Sequence, residues 1–183
     1  MSAGDVLEAP ITVDRPGPAV WLMGSKGGAG VSTLAQWLSF TGDSDRQWPC
    51  GTDVEAESPY VVIVARETSD GLKAAHELIV RHKERELSSR LLGLVTVAAS
   101  PTLDKSVRQY RDIVSAAAGA HWRIEWHKFL AAAALTALPR WHPLDGLPEQ
   151  TKGTNAVPTD VIAAGIGIVT EIQRSLPTLR SGH

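Results

Sequence analysis

The first sustained apolar run, Ala-Val-Trp-Leu-Met at 19–23, is followed by a glycine-rich stretch and then by Leu34, Ala35, Trp37 and Leu38 at helical spacing. That order predicts a strand, a tight loop and a helix. A second run, Tyr-Val-Val-Ile-Val-Ala at 60–65, predicts another strand, and Thr68-Ser-Asp-Gly71 supplies cap residues for a helix carrying Leu72, Ala75 and Ile79 on one face. The mixed charges at 81–86 then read as a solvated end of that helix. Residues 91–98 are almost wholly apolar, as in a strand covered on both faces, and are expected to lie between the 19–23 and 60–65 strands. After Pro101 a helix is predicted with Leu103, Val107, Tyr110 and Val114 along one face and Lys105, Arg108 and Arg111 pointing elsewhere. Residues 122–126 alternate apolar with charged positions, the pattern of a half-exposed edge strand. An alanine-rich helix is expected over 128–138, irregular chain over 139–158, and a last helix over 159–176 beginning beside Pro158.

Alternating strands and helices predict an α/β three-layer sandwich around a mostly parallel sheet, with right-handed crossovers and the glycine loop at the carboxyl end of the first strand. The expected organisation is a flexible arm at 1–18 punctuated by Pro10, Pro16, Gly17 and Pro18, one domain at 19–176, and a tail at 177–183. A chain of 183 residues with 43% hydrophobic content suits a single core-bearing domain. Residues 42–59 hold two prolines, several acids and no apolar run, and read as a loop standing in for a strand and helix.

The loop itself carries the chemistry. Gly24, Gly27, Gly28 and Gly30 allow backbone N–H groups to approach an anion, Ser32 and Thr33 open the following helix, and Lys26 adds a cation. Lys26-Gly-Gly-Ala-Gly-Val-Ser-Thr33 resembles the deviant Walker A loop, Lys-Gly-Gly-x-Gly-Lys-[Ser/Thr]-Thr, of the ParA/MinD branch of P-loop NTPases. Lys26 matches the lysine that marks this branch. The resemblance implies a P-loop NTPase-like fold missing one strand-helix unit, ATP or ADP bound with magnesium by Ser25, Lys26, Gly27, Gly28, Ala29, Gly30, Val31, Ser32 and Thr33, and a nucleotide-dependent homodimer whose Lys26 crosses to the partner's phosphates. It further implies a positioning role in plasmid partition, conjugation or secretion assembly, through a protein partner that no residue identifies.

One departure matters. Val31 stands where the family carries its second, phosphate-gripping lysine, and valine neither donates a hydrogen bond nor carries charge. Atypical members of the CpaE/TadZ type also depart there, so weak or absent hydrolysis is expected. Ser32 occupies the position of the magnesium-ligating hydroxyl, and a serine at a helix start also serves as an N-cap. The family's strand-end acids are missing, since the 60–65 strand ends in Arg66-Glu67 and the 91–98 strand in Ala99-Ser100. Asp43, Asp45, Asp53, Glu55 and Glu57 in the 42–59 loop, and Glu67, are the acids left as candidates.

Three other readings compete. The glycine spacing also fits a dinucleotide-binding Rossmann protein of the short-chain dehydrogenase kind, but Tyr60 and Tyr110 are followed four residues later by Val64 and Val114, so no Tyr-x-x-x-Lys pair exists. A scaffold that keeps the loop for folding and binds only a protein predicts Val31 and the missing acids. A slow ATPase would borrow a cation such as Lys105 or Arg66.

A net charge of −2 gives no overall attraction to nucleic acid, which leaves local patches such as 81–86 as the one route to such a contact. The single cysteine, Cys50, beside Pro49 and Gly51, cannot form an internal disulfide, and no apolar run is long enough to span a bilayer or serve as a signal core, so a cytoplasmic protein is expected. His121, His127 and His142 lack close metal-ligand spacing and are expected to be structural or surface groups. Trp21, Trp37, Trp122 and Trp126 are expected in the core, with Trp48 and Trp141 in loops.

Overall fold

The computed structural model describes residues 17–49, 57–85, 87–149, 153 and 155–176. Most of the arm, Cys50, Asp53, Glu55 and the 177–183 tail lie outside the described residues.

The elements run β1 (Val20–Gly24), α1 (Val31–Trp37), β2 (Thr41–Asp43), β3 (Tyr60–Arg66), α2 (Ser69–Glu84), β4 (Arg90–Val97), α3 (Lys105–Ala118), β5 (Ala120–Ile124) and α4 (Thr159–Ser175). The strands form one all-parallel sheet in the order β2-β1-β3-β4-β5. This is the predicted α/β three-layer architecture. Side chains alternate across each strand, so Leu22, Val62, Val64, Val95 and Ile124 pack with Leu34 and Trp37 of α1 and Val161 and Ile168 of α4. Met23, Ile63, Ala65 and Leu94 pack on the opposite face with Leu72, Ala75 and Ile79 of α2 and Val114 of α3.

Local chemistry sets several boundaries. The Thr68 hydroxyl accepts from the Gly71 N–H at 3.0 Å and starts α2, and the Asp104 carboxylate accepts from the Ser106 N–H at 2.8 Å and starts α3. Small residues let α4 pack closely: a Cβ on Gly165 would come within 2.8 Å of the Trp141 ring and 2.9 Å of Leu38 beside the end of α1, and one on Gly167 would collide with Trp122 of β5.

Four expectations change. Residues 42–59 are not loop throughout, because Thr41 to Asp43 form β2, which pairs in parallel with β1 at Val20–Thr41, Trp21–Gly42 and Leu22–Asp43. Three residues with one glycine are too short and too polar for a periodicity signal. Strand β4 lies between β3 and β5 rather than between β1 and β3, since β2 occupies the other side of β1. Residues 128–138 form two short 3-10 turns, Lys128–Ala131 and Leu135–Ala137, in place of an α-helix. Contacts with α1 explain this: Gln36 Nε2 donates to Leu138 O at 3.0 Å and Trp141 N donates to Trp37 O at 2.7 Å, pinning the chain where alanine propensity, tenths of a kcal/mol per residue, is overridden. Trp126, expected in the core, is 38% exposed, while Trp48 and Trp141, whose use the sequence leaves open, are buried.

Candidate functional site: the glycine loop between two strand ends

Strand order reverses at β1. The chain leaves β1 through α1 on one face to reach β2, while β3 on its other side continues into α2 on the opposite face. The carboxyl ends of β1 and β3 therefore part at a topological switch point, where open parallel sheets leave a crevice for ligands. The Ser25 N–H donates to Val64 O at 2.8 Å and fixes the start of the loop against β3.

Two glycines make the turn. Gly28 has φ +78° and Gly30 φ +101°, conformations in which a side chain would be strained. A Cβ on Gly27 or Gly28 would meet nothing within 4 Å, because this backbone faces open space. That space is a cavity of about 430 Å³, lined by residues 26–33 and Gly24 together with Asp43, Asp45, Arg46 and Arg66. Of the nine predicted binding residues, eight line it. Ser25 is the exception: its buried hydroxyl donates to Gly71 O at 3.0 Å, and it borders a smaller neighbouring cavity.

Lys26 is half-exposed at the rim and lies 3.5 Å from Asp70 at the start of α2. Val31, by contrast, lines the cavity but packs into the core, 8% exposed. The N-cap of α1 is Gly30, and no side chain caps the helix, so the Ser32 hydroxyl is not spent as a cap and remains exposed toward the cavity. Oxygen donors for a hard cation are present around it: Ser32, Thr33, Asp43 and Asp45 share this cavity. The residues therefore fit a phosphate group with magnesium, since glycine backbone, cations and oxygen donors line the same cavity.

The acids sort clearly. Asp43, at the tip of β2, is the strand-end carboxylate that the pattern of apolar runs could not reveal, and its Oδ1 accepts from Asp45 N at 2.9 Å. Glu57 is buried just before β3, outside the cavity. Glu67 is turned away. It is 3% exposed and accepts from Arg123 Nε at 2.7 Å, Arg123 Nη2 at 2.9 Å, Arg111 Nη1 at 3.2 Å and Thr96 Oγ1 at 3.1 Å. Burial pushes its carboxyl up, but these donors outweigh burial and hold it below its ordinary value. Arg111, expected to point away from the core face of α3, is thus drawn in to Glu67.

The borrowed-cation candidates also separate. Arg66 ends β3 and lines the cradle and both adjoining cavities, with Nη1 donating to Gly28 O at 3.4 Å. Lys105, at the start of α3, lines none of the three. Tyr60 and Tyr110, the dehydrogenase tyrosines, line none of them either.

A second cavity, about 280 Å³, opens beside the cradle at the ends of β4 and β5 and shares Gly30, Thr33 and Arg66 with it. Its walls include Leu34, Trp37, Val97, Trp126 and His127. His127 Nε2 is 3.0 Å from Asp160 Oδ2, and its ring meets Trp37 edge-on at 6.0 Å. Burial raises the Asp160 carboxyl, and the contact with His127 and the Glu125 N–H at 2.6 Å more than offset it, leaving Asp160 below its ordinary range.

Among the described residues no cluster of histidine, cysteine and carboxylates has metal-binding geometry, and no helix is long and apolar enough to cross a membrane. His121 contacts Thr96 Oγ1 at 2.9 Å and His142 accepts from Leu144 N at 3.1 Å, which makes them structural groups as expected. No protein-family model matches the chain, and no curated protein or solved structure is significantly similar to it.

Proposed function

We propose that the protein binds ATP or ADP with magnesium in the glycine-loop cradle, hydrolyses ATP slowly or not at all, and uses occupancy of that site to position a protein partner. The observation that carries this reading is the pair of left-handed glycines after β1, opening into a cavity of about 430 Å³ at the switch point of a parallel sheet. Backbone N–H groups held in such a turn favour phosphate. The adjoining pocket favours a nucleotide over bare phosphate, because Val97, Trp126 and Leu130 offer apolar and aromatic surface next to the cradle.

Roles follow from position. Gly27 to Thr33 would hold the phosphates, Ser32 with Asp43 and Asp45 would face magnesium, and Val31 leaves out the lysine that the related loops use in hydrolysis. Lys26 at the rim is free to swing, its contact with exposed Asp70 being worth well under about 1 kcal/mol. This suits the homodimer implied by the resemblance to ParA/MinD proteins, in which that lysine reaches the partner's site. Partition, conjugation and secretion assembly are the settings that the same resemblance suggests.

Calorimetric titration of the full chain with ADP and with a non-hydrolysable ATP analogue, each with magnesium, tests the reading. Micromolar binding that weakens in Gly28→Val is the expected outcome. Absence of heat at millimolar ligand would leave a scaffold that keeps the loop for folding alone.

A further inference from the structure

We infer that the phosphate charge is met by two arginines, Arg46 and Arg66, reaching the cradle from the strands on either side of β1 and replacing the lysine absent at Val31. This deepens the nucleotide reading and rests on it. Both arginines line the same cavity as the glycine turn. Arg66 arrives from the end of β3, and Arg46 from the turn that follows β2.

The turn that presents Arg46 is unusual. Gln47 N donates to Ser44 O at 2.9 Å, and the two residues between them, Asp45 and Arg46, have φ of 48° and 61°. Turns with both central residues at positive φ normally use asparagine and glycine. An arginine in that left-handed conformation is strained. The turn is nevertheless firmly held, since buried Ser44 donates its N–H to Leu22 O at 3.0 Å. A strained residue on a fixed turn is a mark of function more than of folding.

Among the described residues Arg111, Arg123 and Arg174 each pair with a carboxylate, whereas Arg46 and Arg66 form no such pair. The Arg46 Nε is buried without a hydrogen-bond partner, a costly state for a donor of a charged group. The cavity lining holds three cations, Lys26, Arg46 and Arg66, against two carboxylates, Asp43 and Asp45, so it is net positive in a chain of net charge −2. Planar guanidinium groups on two sides suit the non-bridging oxygens of a diphosphate, which they can grip in bidentate fashion. Val31 cannot share the task, because its side chain is packed in the core.

The test is equilibrium binding of magnesium-ADP, AMP and inorganic pyrophosphate to the wild type, Arg46→Gln, Arg66→Gln, their lysine counterparts and Lys105→Gln. Each glutamine variant is expected to weaken ADP and pyrophosphate binding by about ten- to a hundredfold. AMP affinity should change far less, Arg66→Lys should recover part of the loss, and Lys105→Gln should match wild type. Thermal unfolding of each variant verifies that the chain still folds. Wild-type binding of ADP with both glutamine variants within twofold of it would overturn the arginine inference and leave the nucleotide reading intact. Binding of pyrophosphate but not ADP, with the arginine effects present, would uphold the inference and remove the nucleotide. No binding of either ligand by the wild type would overturn both.

Discussion

Arg66 and Glu67 are neighbours at the end of β3, and strand alternation sends them to opposite faces of the sheet. On the α3 face Glu67 is buried and answered by two arginines and a threonine from β4, β5 and α3. On the α1 face Arg66 meets one loop carbonyl at 3.4 Å and no carboxylate among the described residues. A charge whose partners are all within the chain is part of the fold. A cation held at a crevice without a counter-charge is available to something the chain does not contain, and the difference separates two acid-base clusters that look equally catalytic in the sequence.

The largest effect that would test this contrast is on stability. Glu67→Ala should cost about 3–5 kcal/mol, because it leaves Arg111 and Arg123 mutually repelling under the end of the sheet. Urea denaturation measures it. A loss below about 1 kcal/mol would mean that the cluster is solvated enough to behave as surface ion pairs do.

Acid should act on the same face. Glu67 is raised by burial but lowered overall by Arg123, Arg111 and Thr96 from an ordinary value of 4.5, so its contribution to stability is complete above about pH 4.5 and is lost as pH falls through its lower folded value. His121 is pushed down from 6.5, first by burial and then by Arg111, so the unfolded chain takes up its proton earlier and the native state weakens as pH falls below about 6.5. The midpoint of thermal unfolding should therefore drop in two stages as pH falls from 7 to about 3, the first beginning below about 6.5 and the second below about 4.5. Glu67→Gln should shrink the lower stage, to which Asp160 also contributes, and His121→Gln the upper one. A flat midpoint across that range would refute the assignment.

Much of this is legible in the residues alone. Long apolar runs report strands buried on both faces, and so β1, β3 and β4 with their helices were readable, as was the glycine turn that places Gly27 to Thr33 around one cavity. What escaped was held by tertiary contacts. Strand β2 is three residues of Thr-Gly-Asp, carried by pairing with β1 alone, so Asp43 looked like one more loop acid. The alanines of 128–138 promised a helix that pinning to α1 does not allow. Arg46 gave no signal either, since a left-handed arginine has no sequence pattern. Arg66 was visible as a borrowed cation, but only the register of β3 against β1 distinguishes it from Lys105.

The smallest expected effect is the most discriminating. Arg66→Gln should change folding stability by no more than about 0.5 kcal/mol, because Arg66 has no ion pair among the described residues and a contact to Gly28 O at 3.4 Å is a poor hydrogen bond. Removing a positive charge from a cavity that also holds Lys26 and Arg46 relieves repulsion and pushes the balance slightly toward greater stability. Paired with a strong loss of diphosphate binding, this near-neutral result would set Arg66 apart from Glu67 as a residue kept for a ligand. A loss of about 2 kcal/mol or more in urea denaturation would show instead that Arg66 braces the loop, and the two faces of the sheet would then be doing the same job.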